Sequence, residues 1–194
     1  AELNRLFEYQ RELGLSVERL SPSQITEREP SLTHHCVAGI GSWEECFLDN
    51  NRLVSVLKGA FLKGGGKLFE NRRVDTVEIK ERKIRSIRVG SETMAVSSLV
   101  LATGIHTRLE GLPDEMILPI RPVKGQAFEV QNNQPIPLRR AVRTIHRYPV
   151  YLVPRSDGRI IVGATSEEMG LDNRVTGGAI LDLLYGAWKV LPAI

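Results

Sequence analysis

Tyr151 stands in the middle of the stretch Tyr148-Pro149-Val150-Tyr151-Leu152-Val153-Pro154-Arg155-Ser156-Asp157-Gly158-Arg159-Ile160-Ile161-Val162-Gly163-Ala164-Thr165, a phenol set among apolar residues. A phenol so placed offers a bound molecule one hydrogen bond and an apolar wall, and it is also what the core of a covered hairpin holds. Cys36 and Cys46, with His34 and His35 beside the first, are the other side chains able to do chemistry. The two thiols form no CxxC, adjacent histidines diverge in an extended chain, and no carboxylate partner is evident. They read as reduced thiols, with no metal site. Arg139-Arg140-Ala141-Val142-Arg143, with His146 and Arg147, is the densest positive run. It lacks the interleaved aromatics of a nucleic-acid surface and reads as a solvated strand edge. The rival reading is a non-catalytic α+β module that binds acidic ligands there.

The bulk properties narrow the class further. Among 194 residues, 26 basic side chains against 23 acidic ones leave a net charge of +3, too weak an imbalance to argue for nucleic acid. A hydrophobic share of 42% with 25% charged residues is that of a globular protein of one domain or two small ones. No apolar run approaches the ~20 residues that span a bilayer. Glu2, Asn4, Arg5 and Glu8 interrupt the start as no signal peptide would. We expect a soluble, cytoplasmic protein with no nucleic-acid or membrane partner.

The elements that must position these groups follow from periodicity. Leu3, Leu6, Phe7, Gln10 and Leu13 lie at helical spacing, with Gly14 as the stop. A segment broken by Pro22 and Pro30 follows, then a short strand over 37–43. After Asp49-Asn50-Asn51, the stripe Leu53, Leu57, Ala60 and Phe61 predicts a helix ending at Gly64-Gly65-Gly66. Lys67–Glu70 is a short strand candidate, and 74–79 with 84–89 predicts two strands joined at Glu81-Arg82-Lys83. The run Leu99-Val100-Leu101-Ala102 resembles a buried parallel strand. Beyond Pro119 the sequence turns β-rich, over 126–130, 141–145, 150–153 and 159–164. Gly158 supplies the turn between the last two runs, whose faces are apolar enough for both to be covered. A final helix carries Ile180, Leu183, Leu184, Ala187, Trp188 and Leu191 on one stripe and stops at Pro192.

Taken in order, these stretches resemble the FAD-dependent amino-acid oxidase superfamily, and within it the glycine oxidases of thiamine biosynthesis. The matching residues are Asp49-Asn50-Asn51-Arg52-Leu53, Glu70-Asn71-Arg72-Arg73-Val74 and Thr93 through Leu99-Val100-Leu101-Ala102-Thr103-Gly104. Pro122-Val123-Lys124-Gly125-Gln126, Tyr151-Leu152-Val153-Pro154-Arg155 through Gly163-Ala164-Thr165, and Leu191-Pro192-Ala193-Ile194 complete the series. Each motif is common alone; their ordered spacing is specific. The sequence has neither GxGxxG nor GxxxxGKS, since Gly64-Gly65-Gly66 runs on into Lys67-Leu68-Phe69.

The resemblance implies a mixed α+β and α/β fold. A partial FAD-binding doubly wound insert over 41–118 would be flanked by a substrate domain with a mainly antiparallel sheet and flanking helices, over 1–40 and 119–194. It implies an internal piece of a longer flavoenzyme, inactive by itself and unable to retain FAD without a pyrophosphate loop. The whole enzyme would oxidise glycine or a similar small amino acid to its imine, reducing O₂ to H₂O₂. Sarcosine oxidase or D-amino-acid dehydrogenase are the alternatives within the superfamily. By resemblance, the backbone at Val74 meets the adenine, and Thr103 and Gly104 fall where a strand meets the cofactor, glycine permitting close approach. Tyr151 and Ser166 line the substrate pocket, and no catalytic residue is assigned. Lys124-Gly125-Gln126 starts a sheet strand near the flavin ring. Unpaired sheet edges lead us to expect a homo-oligomer.

Overall fold

The computed structural model describes residues 2–131, 138–145 and 147–194. In chain order the elements are α1 (Glu2–Glu12), β1 (Val17–Leu20), α2 (Pro22–Arg28), β2 (Gly39–Ser42) and α3 (Asn50–Lys63). They continue with β3 (Thr76–Lys80), β4 (Lys83–Val89), β5 (Glu92–Ala95), a 3₁₀ turn at Asp114–Met116, β6 (Phe128–Gln131) and β7 (Val142–Arg143). β8 (Tyr151–Pro154), β9 (Arg159–Gly163) and α4 (Gly177–Val190) close the order. One compact unit is made of the chain up to Asn51 together with Val123–Ile194; the other is Arg52–Pro122.

The first unit is built on an antiparallel sheet of order β6-β9-β8-β7. In register, Val142, Leu152, Val162 and Phe128 form one row across it, and Pro154, Ile160 and Val130 the next. Leu152 and Val162 are fully buried and Ile160 nearly so, packed against Leu183, Ala187, Val190 and Leu191 of α4 and its C-cap, and against Ile25 and Leu32. This face is the core. Because side chains alternate along a strand, Tyr151, Val153, Ile161 and Gly163 belong to the opposite face. Val153 is buried there while Tyr151 stays 43% exposed, so the second face is covered only in part.

The stripe expected on α4 is turned. Leu184 and Trp188 are exposed, and Gly186 and Val190 face the core instead. Gly186 decides this, since a Cβ there would lie 2.6 Å from the Tyr148 carbonyl oxygen. The helix and the segment leading into β8 approach at a position without a side chain. Thr176 caps the helix, its Oγ1 accepting from the Ala179 N–H. The other helices follow local signals. α2 carries a capping box, with Ser21 and Gln24 satisfying each other's backbone N–H groups. Gly14 ends α1 at φ +78°, as its sequence predicts. The strand expected over 37–43 forms as β2, paired with β1, an element its sequence did not announce.

Arg140 does not lie free on a solvated edge. Its guanidinium pairs with Glu29 at 3.1 Å, and Glu29, buried, also accepts from the Arg139 N–H at 2.9 Å. Arg28 and Arg140 both sit over the Trp43 ring. A buried carboxylate requires such partners, so part of the basic run is spent inside the fold. Arg143 does lie on the edge strand β7. His146 lies outside the described residues.

The second unit holds a meander of order β3-β4-β5. Val77 is its buried centre, and the Val77 N–H donates to Glu110 at 2.8 Å. Gly111 stands beside it at φ +88°, where a Cβ would come 1.9 Å from the Val77 carbonyl oxygen, so only glycine fits. Two expectations fail here. Lys67–Glu70 and Leu99–Ala102 form no strand, and Val100 is 87% exposed. A short apolar run becomes a buried strand only when neighbouring strands supply its hydrogen-bond partners, and none pairs with it among the described residues. α3 forms as expected yet buries none of its residues, leaving Leu53, Val54, Val56, Leu57, Phe61 and Leu62 exposed.

Candidate functional site

The hairpin β8–β9 is closed by Ser156-Asp157-Gly158. Gly158 takes φ +88°, and the Arg155 N–H donates to the Arg159 carbonyl at 2.8 Å. Asp157 accepts from the Arg159 backbone N–H and guanidinium. That hydrogen-bonded guanidinium holds the Asp157 carboxyl below its usual range. A stiff turn thus fixes the register, and register fixes which face each residue takes. Tyr151, first residue of β8, pairs with Arg143 on one side and with Gly163 on the other. Gly163 is buried, and a Cβ there would lie 3.2 Å from Ala127 Cβ, so its lack of a side chain admits a close neighbour beside the tyrosine's strand.

Ser166 follows β9 at the same end of the hairpin and is exposed. Its two neighbours are tied down. Thr165 and Gln126 exchange backbone hydrogen bonds with side-chain help, the Gln126 N–H donating to Thr165 Oγ1 at 2.9 Å and the Thr165 N–H to the Gln126 carbonyl at 3.2 Å. Glu167 and Lys124 exchange a pair of backbone hydrogen bonds, both 2.9 Å. The Gln126 amide donates to Glu167 Oε1 at 2.7 Å and to Thr176 Oγ1 at 3.1 Å, and its oxygen accepts from the Thr176 N–H at 2.8 Å. Hydrogen bonds from Thr165 and then Gln126 lower the Glu167 pKa from its ordinary 4.5. Farther along the same loop, the Arg174 guanidinium brings Asp172 down to about 2.

This network was not foreseen from the sequence. Its one legible signal is Thr176 before Gly177-Gly178 and an apolar helix, an N-cap pattern. Gln126 was read as ordinary strand start, yet it is buried and uses both amide hydrogens.

A concavity of about 520 Å³ lies between α1 and the β7 edge, lined by Arg5, Tyr9, Arg143 and Thr144 among others. It includes neither Tyr151 nor Ser166.

The residues expected at a cofactor lie in the second unit. Val74, half-buried, immediately precedes β3, where the Asp75 N–H donates to the Arg88 carbonyl at 2.8 Å. Thr103 and Gly104 form an exposed turn, the His106 N–H donating to the Thr103 carbonyl at 3.1 Å. Gly104 takes φ +57°, and nothing lies within 4 Å of where its Cβ would be. Cys36 is partly buried and its thiol pKa pushed up by that burial, whereas Cys46 is exposed; both are free. Among the described residues no cluster of His, Cys, Asp and Glu could hold a metal ion, and no helix is long and apolar enough to cross a membrane.

The family model for FAD dependent oxidoreductase matches residues 1–194. The bifunctional protein ThiO/ThiG of Synechocystis sp. is 32% identical over 179 residues, covering 90% of this chain and 26% of that protein. The glycine oxidase of Geobacillus kaustophilus is 27% identical over 197 residues, covering all of this chain and 50% of that enzyme. The crystal structure of glycine oxidase from Bacillus cereus superposes with a TM-score of 0.85 over 99% of this chain and 52% of that one, at 19% identity, a likeness of fold. The chain thus spans half or less of the length of the curated relatives described here.

Proposed function

We propose that this chain, which belongs to the FAD dependent oxidoreductase family, supplies the substrate-facing sheet and part of the cofactor-binding unit of an enzyme that oxidises glycine or a similar small amino acid to its imine. The observation that carries the reading is the half-open second face of the sheet. Tyr151 stands there beside Gly163, on a strand whose other side carries the fully buried Leu152. Such a phenol can donate to a substrate carboxylate while the backing strand holds it still. Ser166, small and exposed at the same end, leaves room for substituents on the amine or the α-carbon. FAD, when bound, would supply the capacity to accept a hydride from the α-carbon and to reduce O₂ to H₂O₂. The backbone at Val74, Thr103 and Gly104 would hold it. The exposed apolar face of α3 is where further parts of a flavin-binding domain would pack.

Sarcosine and D-alanine are the competing substrates. The experiment is anaerobic reduction of the flavin-loaded whole enzyme that contains this chain by glycine, sarcosine and D-alanine, followed by peroxide detection in air. Flavin bleaching by glycine with peroxide on aeration supports the reading. Bound flavin that no amine bleaches would sink it.

A further inference from the structure

We propose that Gln126 is a positioning residue that sets the selectivity of the site by holding Ser166 in place. The proposal rests on the reading that Ser166 faces the substrate. Three residues, Gln126, Thr165 and Glu167, form a closed ring of hydrogen bonds around the Ser166 segment. The Gln126 N–H donates to Thr165 Oγ1, the Thr165 hydroxyl donates to Glu167 Oε1, and the Gln126 amide returns to that same oxygen. The remaining amide hydrogen and the amide oxygen engage Thr176, the N-cap of α4.

The orientation of the amide is fixed by its partners. The Thr176 N–H can only donate and an ionised carboxylate can only accept, so Oε1 must face Thr176 N and Nε2 must face Glu167. Gln126 is 5% exposed, and no water competes for these groups at low cost. In an extended segment Thr165 and Glu167 turn to one side and Ser166 to the other. Anchoring both neighbours by side chain and backbone therefore fixes where the Ser166 hydroxymethyl points, without touching it. One side chain thus ties the segment before β6 to the segment after β9 and to the N-cap of α4.

The test uses Gln126→Leu and Thr165→Val, with Thr165→Ser as the variant that keeps the hydroxyl. Thr165→Val preserves shape at a partly exposed position and stands in if Gln126→Leu does not fold. The first readout is amide hydrogen exchange at 165–167, which needs no cofactor. The second is the ratio of kcat/KM for glycine to that for sarcosine and D-alanine in the flavin-loaded whole enzyme that contains this chain. We expect exchange at 165–167 to quicken about tenfold or more, as loss of a hydrogen bond to a charged acceptor implies. We expect the substrate ratio to shift through KM, with Thr165→Ser retaining the parent behaviour in both. A uniform loss of rate with all three amines, at unchanged ratio and unchanged exchange, would overturn the proposal. Faster exchange with an unchanged ratio would also overturn it, by showing a clamp that does not govern selectivity. Failure of the parent protein to oxidise any amine defeats the functional reading, a result the exchange experiment registers separately.

Discussion

Replacing Gly186 by alanine sets two effects of known size against each other. Alanine is favoured over glycine inside a helix by about 1 kcal/mol. Against that, the new methyl would lie 2.6 Å from the Tyr148 carbonyl oxygen and 2.7 Å from Val150 Cγ1. Neither neighbour is the free end of a flexible side chain. One is backbone, the other a nearly buried valine leading into β8. Forcing a methylene into such a contact costs about 1–3 kcal/mol, and a backbone oxygen places this case in the upper part of that range. The net is a loss of about 1–2 kcal/mol. At about 2–4 °C per kcal/mol for a chain of this size, Tm should fall by about 2–8 °C. Gly178, in the first turn of the same helix with nothing within 4 Å of its Cβ position, is the control. Gly178→Ala should raise Tm by about 1–4 °C, since only the backbone term remains. Thermal unfolding followed by far-UV circular dichroism decides the matter. A Gly186→Ala variant as stable as the parent would refute the close approach of α4 and, with it, the account of how β8 is backed.

Other outcomes are as specific. Tyr151→Phe should raise KM for the amino acid about tenfold while leaving flavin content unchanged, measured by steady-state peroxide production. Glu167 and Asp172 both have lowered pKa values, so their contribution is complete above the ordinary 4.5 and 3.8 and is lost as pH falls through the lowered values, about 2 for Asp172. Amide protection over 164–174 should therefore fade on acidification below pH 4.5, and in Glu167→Gln the part of that fading above the Asp172 range should disappear. The 194-residue chain purified without added flavin should carry no yellow absorbance, having no glycine-rich pyrophosphate loop in its sequence. Its open sheet edges should also drive self-association, which sedimentation at rising concentration would register and a persistent monomer would contradict.

How far the sequence could be read depended on where each element finds its partners. α1 and the β8–β9 hairpin carry their own stop and turn in Gly14 and Gly158, and these are legible, whereas α2 forms behind the Ser21 box in a segment that reads as broken by Pro22 and Pro30. The 99–102 run was misread because its pattern describes burial by neighbours that the described residues do not supply. The α4 stripe was misplaced by about one residue in angle, because the period alone ranks Trp188 above Gly186. The contact that decides it is an absence of side chain opposite a carbonyl. Arg140 and Gln126 were misread for a third reason: Glu29 and Arg140 lie 111 residues apart and Gln126 and Thr176 50 apart, and no local pattern records such pairs.

The hairpin itself shows why stability and chemistry can be separated in this fold. Along β8 and β9 the even positions, 150, 152, 160 and 162, enter the core, and the odd positions, 151, 161 and 163, share the half-open face. Truncating Leu152, fully buried, removes a side chain from the packed face and costs about 2–5 kcal/mol. Changing Tyr151 one position earlier leaves that packing untouched. The two classes of effect are thus set by the parity of a residue's position, a consequence of the two-residue period of the strand. The Ser156-Asp157-Gly158 turn maintains that parity. Inserting one residue there would exchange the two faces of β9 relative to β8, putting Gly163 toward the core and Val162 beside the tyrosine. The same turn that holds the core in register therefore also keeps Gly163 opposite Tyr151.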